Sequence, residues 1–144
     1  MSYTSTYLNF ATQTEEAFEF YRSIFGGEFE PPIGRFRDIP PSPDMPPLDE
    51  VTGNMIMHIC LPILGGHKLM GTDAPPSMGF TVNAWNNVYI SLHPDTLEEG
   101  KNLYAKLSEW GTIEQPFEKM FWWAYFATWK DKYGVQWMVN CEGE

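Results

Sequence analysis

The sequence predicts an α+β fold in which one motif, strand–helix–strand–strand–strand, is written twice. Three observations carry that prediction. A strand, a cap, an amphipathic helix and a glycine follow one another from Thr6 and again from Val88. Each half closes on two strands joined by a glycine-containing turn, across Gly65–Gly66 and across Lys130–Gly134. The 144 residues are 43% hydrophobic and 16% aromatic, which suffices for one core and is too apolar for a disordered chain. The two βαβββ modules are expected at about residues 1–74 and 79–144, together one domain.

The first half opens with the alternating, aromatic-rich strand Thr6–Tyr7–Leu8–Asn9–Phe10. Thr12 and Glu15 then stand three apart, as in a capping box. Ala17, Phe18, Tyr21, Ile24 and Phe25 fall on one helical face, and Gly26–Gly27 supply the C-cap. Strands are expected over Glu28–Phe36, Asn54–Leu64 and His67–Asp73.

The second half starts with Val88–Tyr89–Ile90–Ser91–Leu92. Pro94, Asp95 and Glu98 open a helix, with Asp95 as its expected N-cap. Leu97, Leu103, Tyr104, Leu107 and Trp110 form the apolar face, and Gly111 ends it. Strands over Thr112–Phe117, Trp122–Trp129 and Val135–Asn140 complete the half. The helices also match literally: Glu15–Glu16–Ala17…Phe20–Tyr21…Ile24 lies over Glu98–Glu99–Gly100…Leu103–Tyr104…Leu107.

Two stretches break the symmetry. Residues 31–50 hold seven of the twelve prolines, so part of this stretch is loop, either a lid or a passive surface connection. Ala74–Asn87, with Pro75–Pro76 and Gly79, reads as the link between modules.

Composition narrows the partners. Nineteen acidic residues against nine basic ones give a net charge of −10, which repels nucleic-acid phosphates and anionic membrane surfaces. The longest apolar runs are too short to cross a bilayer, and no secretion leader is expected, so the chain is expected to be cytoplasmic. Cys60 and Cys141 form no disulfide framework and lack metal-ligand spacing. No Gly-x-Ser-x-Gly nucleophile context and no phosphate-binding glycine loop occurs.

Several segments together are similar to a known family. Tyr7–Leu8–Asn9–Phe10, Glu15–Glu16–Ala17, Phe20–Tyr21 and Phe25–Gly26–Gly27 resemble the opening of the PhnB-like subgroup of the glyoxalase/bleomycin resistance/extradiol dioxygenase superfamily, also called vicinal oxygen chelate. His58, Gly65–Gly66, Leu69–Met70 and Asp73 resemble its middle. Trp123, Asp131, Tyr133–Gly134–Val135, Trp137 and Asn140 resemble its ending. The resemblance implies curled mixed sheets around a cavity, with metal ligands on the first and last strands of the modules. It also implies association of modules across a homodimer.

Those strands offer Tyr7, Asn9, Tyr89, Ser91, Lys68, Met70, Gln136, Met138 and Asn140, with Asp73 at a strand end. No His or Glu occupies their interiors, so a divalent metal, possible by resemblance alone, has no recognisable ligands, and no cofactor is evident. His58 lies within the apolar run Met57–Leu61. It is either a satisfied core histidine or a polar anchor on the concave face. Asp73 reads as a turn cap and Asp131 as a turn residue. The run Phe121–Phe126 with Trp129 is the most unusual local feature. As a strand it would put Trp123 and Tyr125 on one face and Trp122 and Phe126 on the other. A ligand cavity is therefore expected to be lined by Asn9, His58, Met70, Trp123, Tyr125 and Trp137.

Three readings follow. One is a small-molecule-binding PhnB-like protein of unknown activity. The second is a metal-dependent lyase, isomerase or dioxygenase with non-standard ligands. The third is a non-enzymatic protein that sequesters a drug or metabolite, for which an acidic, aromatic cavity suits a cation.

Overall fold

A computed structural model describes residues 2–142. The chain divides into two compact units, Met1–Asn83 and Ala84–Glu144. The first contains β1 (Ser5–Phe10), α1 (Thr14–Phe25), β2 (Gly34–Arg35), α2 (Glu50–Asn54), β3 (Ile56–Pro62) and β4 (Lys68–Asp73). The second contains β5 (Ile90–Leu92), α3 (Leu97–Leu107), β6 (Thr112–Lys119), β7 (Ala124–Lys130) and β8 (Gln136–Glu142). Each unit holds a four-stranded mixed sheet, in the orders β1-β4-β3-β2 and β5-β8-β7-β6. In both, the first strand runs parallel to the last and the other pairs are antiparallel. The duplicated βαβββ pattern is therefore also duplicated in strand order.

In the first unit, α1 covers the face carrying Phe10, Ile59, Leu61 and Leu69, all buried together with Ala17, Phe18 and Tyr21 of the helix. Gly71 makes that approach possible: a Cβ there would stand 2.6 Å from a ring carbon of Phe18. The expected capping box does not form. Helix α1 starts at Thr14 and its N-cap, Gln13, makes no side-chain bond. The Thr14 N–H instead donates to Asp73 Oδ1 at 3.0 Å, while Asp73 Oδ2 accepts from the Ile56 N–H at 2.9 Å. A carboxylate at the end of β4 thus caps α1 and ties down the start of β3, a role set by strand pairing rather than by sequence neighbours.

The expected strand Glu28–Phe36 shrinks to Gly34–Arg35, because Pro31 and Pro32 lack ladder donors. The Glu30 N–H still reaches the Cys60 carbonyl at 2.9 Å and keeps the chain beside β3. Helix α2 was not expected. Its residues, Glu-Val-Thr-Gly-Asn, include weak helix formers, and Asp49 holds it by accepting from the Thr52 N–H at 2.7 Å.

In the second unit, α3 lies on the face carrying Trp129, Trp137, Val139 and Cys141. Tyr104 of α3 meets the Trp129 ring edge-on at 5.5 Å. Thr96, not Asp95, is the N-cap and accepts from the Glu99 N–H at 3.1 Å; Glu99 in turn accepts from the Asp95 N–H. Strand β7 begins at Ala124, so Trp122 and Trp123 lie in the β6–β7 turn rather than in a strand. The turn closes through the Trp123 N–H, which donates to the Met120 carbonyl.

After α3 the residue in the left-handed region is Trp110 (φ 62°), one position before the expected Gly111. The Trp110 side chain is 84% exposed, so it offsets little of that backbone strain by burial. Left-handed backbone costs a non-glycine residue about 1–2 kcal/mol. Trp110→Gly is expected to stabilise the protein by about 0.5 kcal/mol once glycine's extra chain entropy is counted. Urea unfolding followed by far-UV circular dichroism measures this; a lowered midpoint would contradict it.

Candidate functional site

Strand alternation leaves the other face of the first sheet uncovered by α1. Register places Tyr7 opposite Met70 and Asn9 opposite Thr72, and pairs Cys60 with Met70. His58 pairs with Gly34, where a Cβ would lie 3.2 Å from Met57 Cε and 3.8 Å from the His58 Cβ. The Tyr7 and His58 rings lie 6.1 Å apart, tilted by 30°. Tyr7 and Asn9 are exposed, and His58, Met70 and Thr72 are half-buried. Among the described residues the imidazole of His58, the amide of Asn9 and the hydroxyl of Tyr7 make no hydrogen bond.

A charged cluster borders this face. Lys68 Nζ stands 3.0 Å from Glu30 Oε2, and the Cys60 thiol donates to the same oxygen at 3.5 Å. The hydrogen bond from Lys68 holds the Glu30 carboxyl below its ordinary range, and Glu30 raises the Lys68 ammonium in return. Burial, with the adjacent carboxylate, pushes the Cys60 thiol up; burial alone does so for Cys141. Both thiols are thus held protonated and enclosed, which makes them poor nucleophiles. An aromatic disulfide reagent at neutral pH is expected to titrate neither Cys60 nor Cys141 on the minute scale in the native protein, and both at once in denaturant. A fast native reaction would refute this.

The six residues expected to line the cavity separate. Asn9, His58 and Met70 come together on the open face of the first sheet. Trp123 sits in the β6–β7 turn with its side chain 76% exposed. Tyr125 lies on the face that α3 covers, stacked on Phe117 at 5.6 Å. Trp137 is fully buried on that same face and donates its indole N–H to Asp131 Oδ2 at 2.9 Å. Asp131 also accepts from the Tyr133 and Val135 N–H groups, so it organises the β7–β8 turn and anchors the tryptophan. Trp137 is a core residue of the second unit and Tyr125 is half-buried beside it, because α3 takes their face of the sheet. The Glu30–Lys68 pair was missed: the expected strand Glu28–Phe36 gave Glu30 no partner, and it meets Lys68, 38 residues on, only through the tertiary fold.

The first and last strands of the two units, where the resemblance points to metal ligands, offer Tyr7, Asn9, Tyr89, Ser91, Lys68, Met70, Gln136, Met138 and Asn140, with Asp73 at a strand end. Among the described residues no three His, Cys, Asp or Glu side chains are grouped to hold a metal ion. This donor set does not fit a first-row divalent ion. Among those residues, too, no helix is long and apolar enough to cross a membrane.

No family model matches the chain. Protein YjdN of Escherichia coli (strain K12) is 30% identical over 141 residues, which span 94% of this chain and 92% of that protein. The crystal structure of protein PA1353 from Pseudomonas aeruginosa superposes with a TM-score of 0.83 at 32% identity, over the full length of both chains. The structure described as a putative 3-demethylubiquinone-9 3-methyltransferase, PhnB protein, from Bacillus cereus gives a TM-score of 0.73 at 26% identity, over 97% of this chain and 99% of that one. The chain belongs to the PhnB-like family. A glyoxalase/bleomycin resistance protein/dioxygenase family enzyme from Burkholderia phytofirmans PsJN shares the fold, with a TM-score of 0.58 at 17% identity over 94% of this chain and 96% of that one. PhnB-like proteins and this wider superfamily therefore share the βαβββ architecture described above.

Proposed function

We propose that this PhnB-like chain binds a small organic molecule on the open face of its first sheet, directly through side chains rather than through a chelated divalent metal. The observation that carries the reading is the set of unspent polar groups on that face: the His58 imidazole, the Asn9 amide and the Tyr7 hydroxyl. Met70 adds a soft, adaptable surface beside them, and the Tyr7 ring adds a flat one. A few polar groups on an otherwise apolar surface are what orients a small ligand. The net charge of −10 favours a neutral or cationic molecule over an anion. The Bacillus cereus relative is described as a putative methyltransferase. This sequence has no glycine-rich strand-to-helix turn for a methyl-donor nucleotide, and the proposal includes no methyl transfer. We further propose that the chain works as a cytoplasmic homodimer, since Phe121 and Trp123 otherwise present large apolar surface to water.

A thermal-shift screen of metabolite-like compounds supplies the ligand, because a compound that binds only the native state raises the melting temperature. His58→Ala and Asn9→Ala are then each expected to weaken it about tenfold, the loss of one hydrogen bond. A ligand bound equally well by both folded variants would place the site elsewhere. Elemental analysis finding one divalent ion per chain would overturn the metal-free part.

A further inference from the structure

The proline-rich segment does more than connect two strands. It folds with α2 into a cavity of about 540 Å³, walled by Pro40, Pro41, Pro46 and Pro47 and by Met45. That volume lies within the range of about 300–1,000 Å³ that encloses drug-sized groups. Asp49 and Glu50 stand on its wall. Arg37, on the same wall, is engaged by the side-chain carbonyl of Asn54. Proline rings and a methionine offer good apolar contact to aromatic rings and little hydrogen bonding, while the Glu50 carboxylate and the second oxygen of Asp49, whose Oδ1 caps α2, suit a cation beside the ring.

The same chain carries a group of that description. In the β6–β7 turn, Trp122 is anchored: its indole N–H donates to Asn140 Oδ1 at 3.2 Å, and its ring packs edge-on against Phe126. Phe121 meets the Trp122 ring edge-on and is nonetheless 90% exposed. Trp123 holds a left-handed backbone (φ 71°) that a tryptophan adopts only against strain, and it too stands out to solvent. Lys119 Nζ lies 5.3 Å from the centre of the Trp123 ring, so the exposed aromatics come with a positive charge attached.

We propose that the Phe121–Trp123 turn of one copy seats in the proline-lined cavity of a second copy, with Lys119 meeting Asp49 and Glu50. The inference rests on the homodimer proposed above and names its contact surfaces. Each copy carries both the turn and the cavity, and the proposal takes the exchange to be reciprocal between two copies rather than propagating from copy to copy. Two chains of charge −10 repel one another, and a lysine brought against two carboxylates offsets that repulsion where the surfaces meet.

Light scattering and sedimentation velocity over nanomolar to micromolar concentrations test this on the full chain. The wild type is expected at twice 16.6 kDa. Phe121→Ser and Trp123→Gly are each expected to weaken association about thirtyfold, as for buried aromatic anchors. Both sites are exposed and glycine relieves the positive φ, so circular dichroism should show the variants folded. Trp110→Gly, equally exposed but outside the turn, should leave association unchanged. Lys119→Glu and Glu50→Lys should each weaken the homodimer, because each places like charges together twice. Mixing those two variants should restore a dimer containing one of each. A monomeric wild type would overturn the proposal. So would a dimer indifferent to Phe121 and Trp123, an assembly larger than two, or a failure of the charge-swapped pair to combine. None of these outcomes bears on ligand affinity at His58, which is measured separately.

Discussion

Replacing Gly111 by alanine is expected to destabilise the second unit by about 3 kcal/mol, the upper end of ordinary overpacking. Gly111 follows α3 and enters β6 directly against the end of β7. A Cβ there would lie 2.2 Å from the Lys130 carbonyl oxygen and 3.0 Å from the Asp131 Cα. Both neighbours are backbone, so no side chain can swing aside. Lys130 is the last residue of β7, and Asp131 anchors Trp137; moving either disturbs the buried aromatic core. Gly134 is the control. It has φ 88° with open space around its Cβ position, so Gly134→Ala should cost about 1 kcal/mol of backbone strain and no more. All six tryptophans lie between Trp85 and Trp137, so tryptophan fluorescence follows the unfolding of this unit. A Gly111→Ala midpoint no lower than that of Gly134→Ala would mean that the close approach carries no weight.

Asp73→Ala is expected to have a comparable effect on the first unit. The carboxylate is buried and accepts from two backbone donors, the N–H groups of Thr14 and Ile56. Removing it strands both donors, each at about 1–3 kcal/mol, for a total of about 3 kcal/mol. Asp73→Asn keeps one acceptor and should lose about half as much. The first unit has no tryptophan, so far-UV circular dichroism and amide hydrogen exchange are the probes. Exchange at Thr14 and Ile56 should accelerate more than at Leu69, which does not depend on Asp73. If those two amides stay as protected as in the wild type, Asp73 is not the cap.

The strand–helix–glycine order was legible because it is local. Alternation over Thr6–Phe10, apolar spacing through Ala17, Phe18 and Tyr21, and the left-handed Gly26 each involve residues within a turn or two of one another. The caps of both helices were less legible. For α3 the acceptor shifted by one residue, from Asp95 to Thr96. For α1 it came from Asp73, 59 residues away, which no capping pattern can reveal. The candidate site divides in the same way. Alternation alone sets Tyr7 and Asn9 on one side of β1. That Met70 and His58 join them depends on the register of β4 against β1 and of β3 against β4. Trp137 and Tyr125 obey their strand periods too, yet lie on the helix-covered face of the second sheet, Trp137 fully buried and Tyr125 half-buried.

The sequence by itself determined the two βαβββ halves, the family, the loop at the prolines and the acidic balance that disfavours anionic partners, since each depends on composition or short-range order. Only the tertiary structure decided which sheet face each helix covers. That choice turns on close approaches such as Phe18 over Gly71 and Cys141 beside Gly100, where the absence of one Cβ admits a neighbour. A strand's period assigns side chains to two faces without saying which face is covered; packing makes that assignment, and here it left His58 half-buried on the face away from α1 and buried Trp137 under α3.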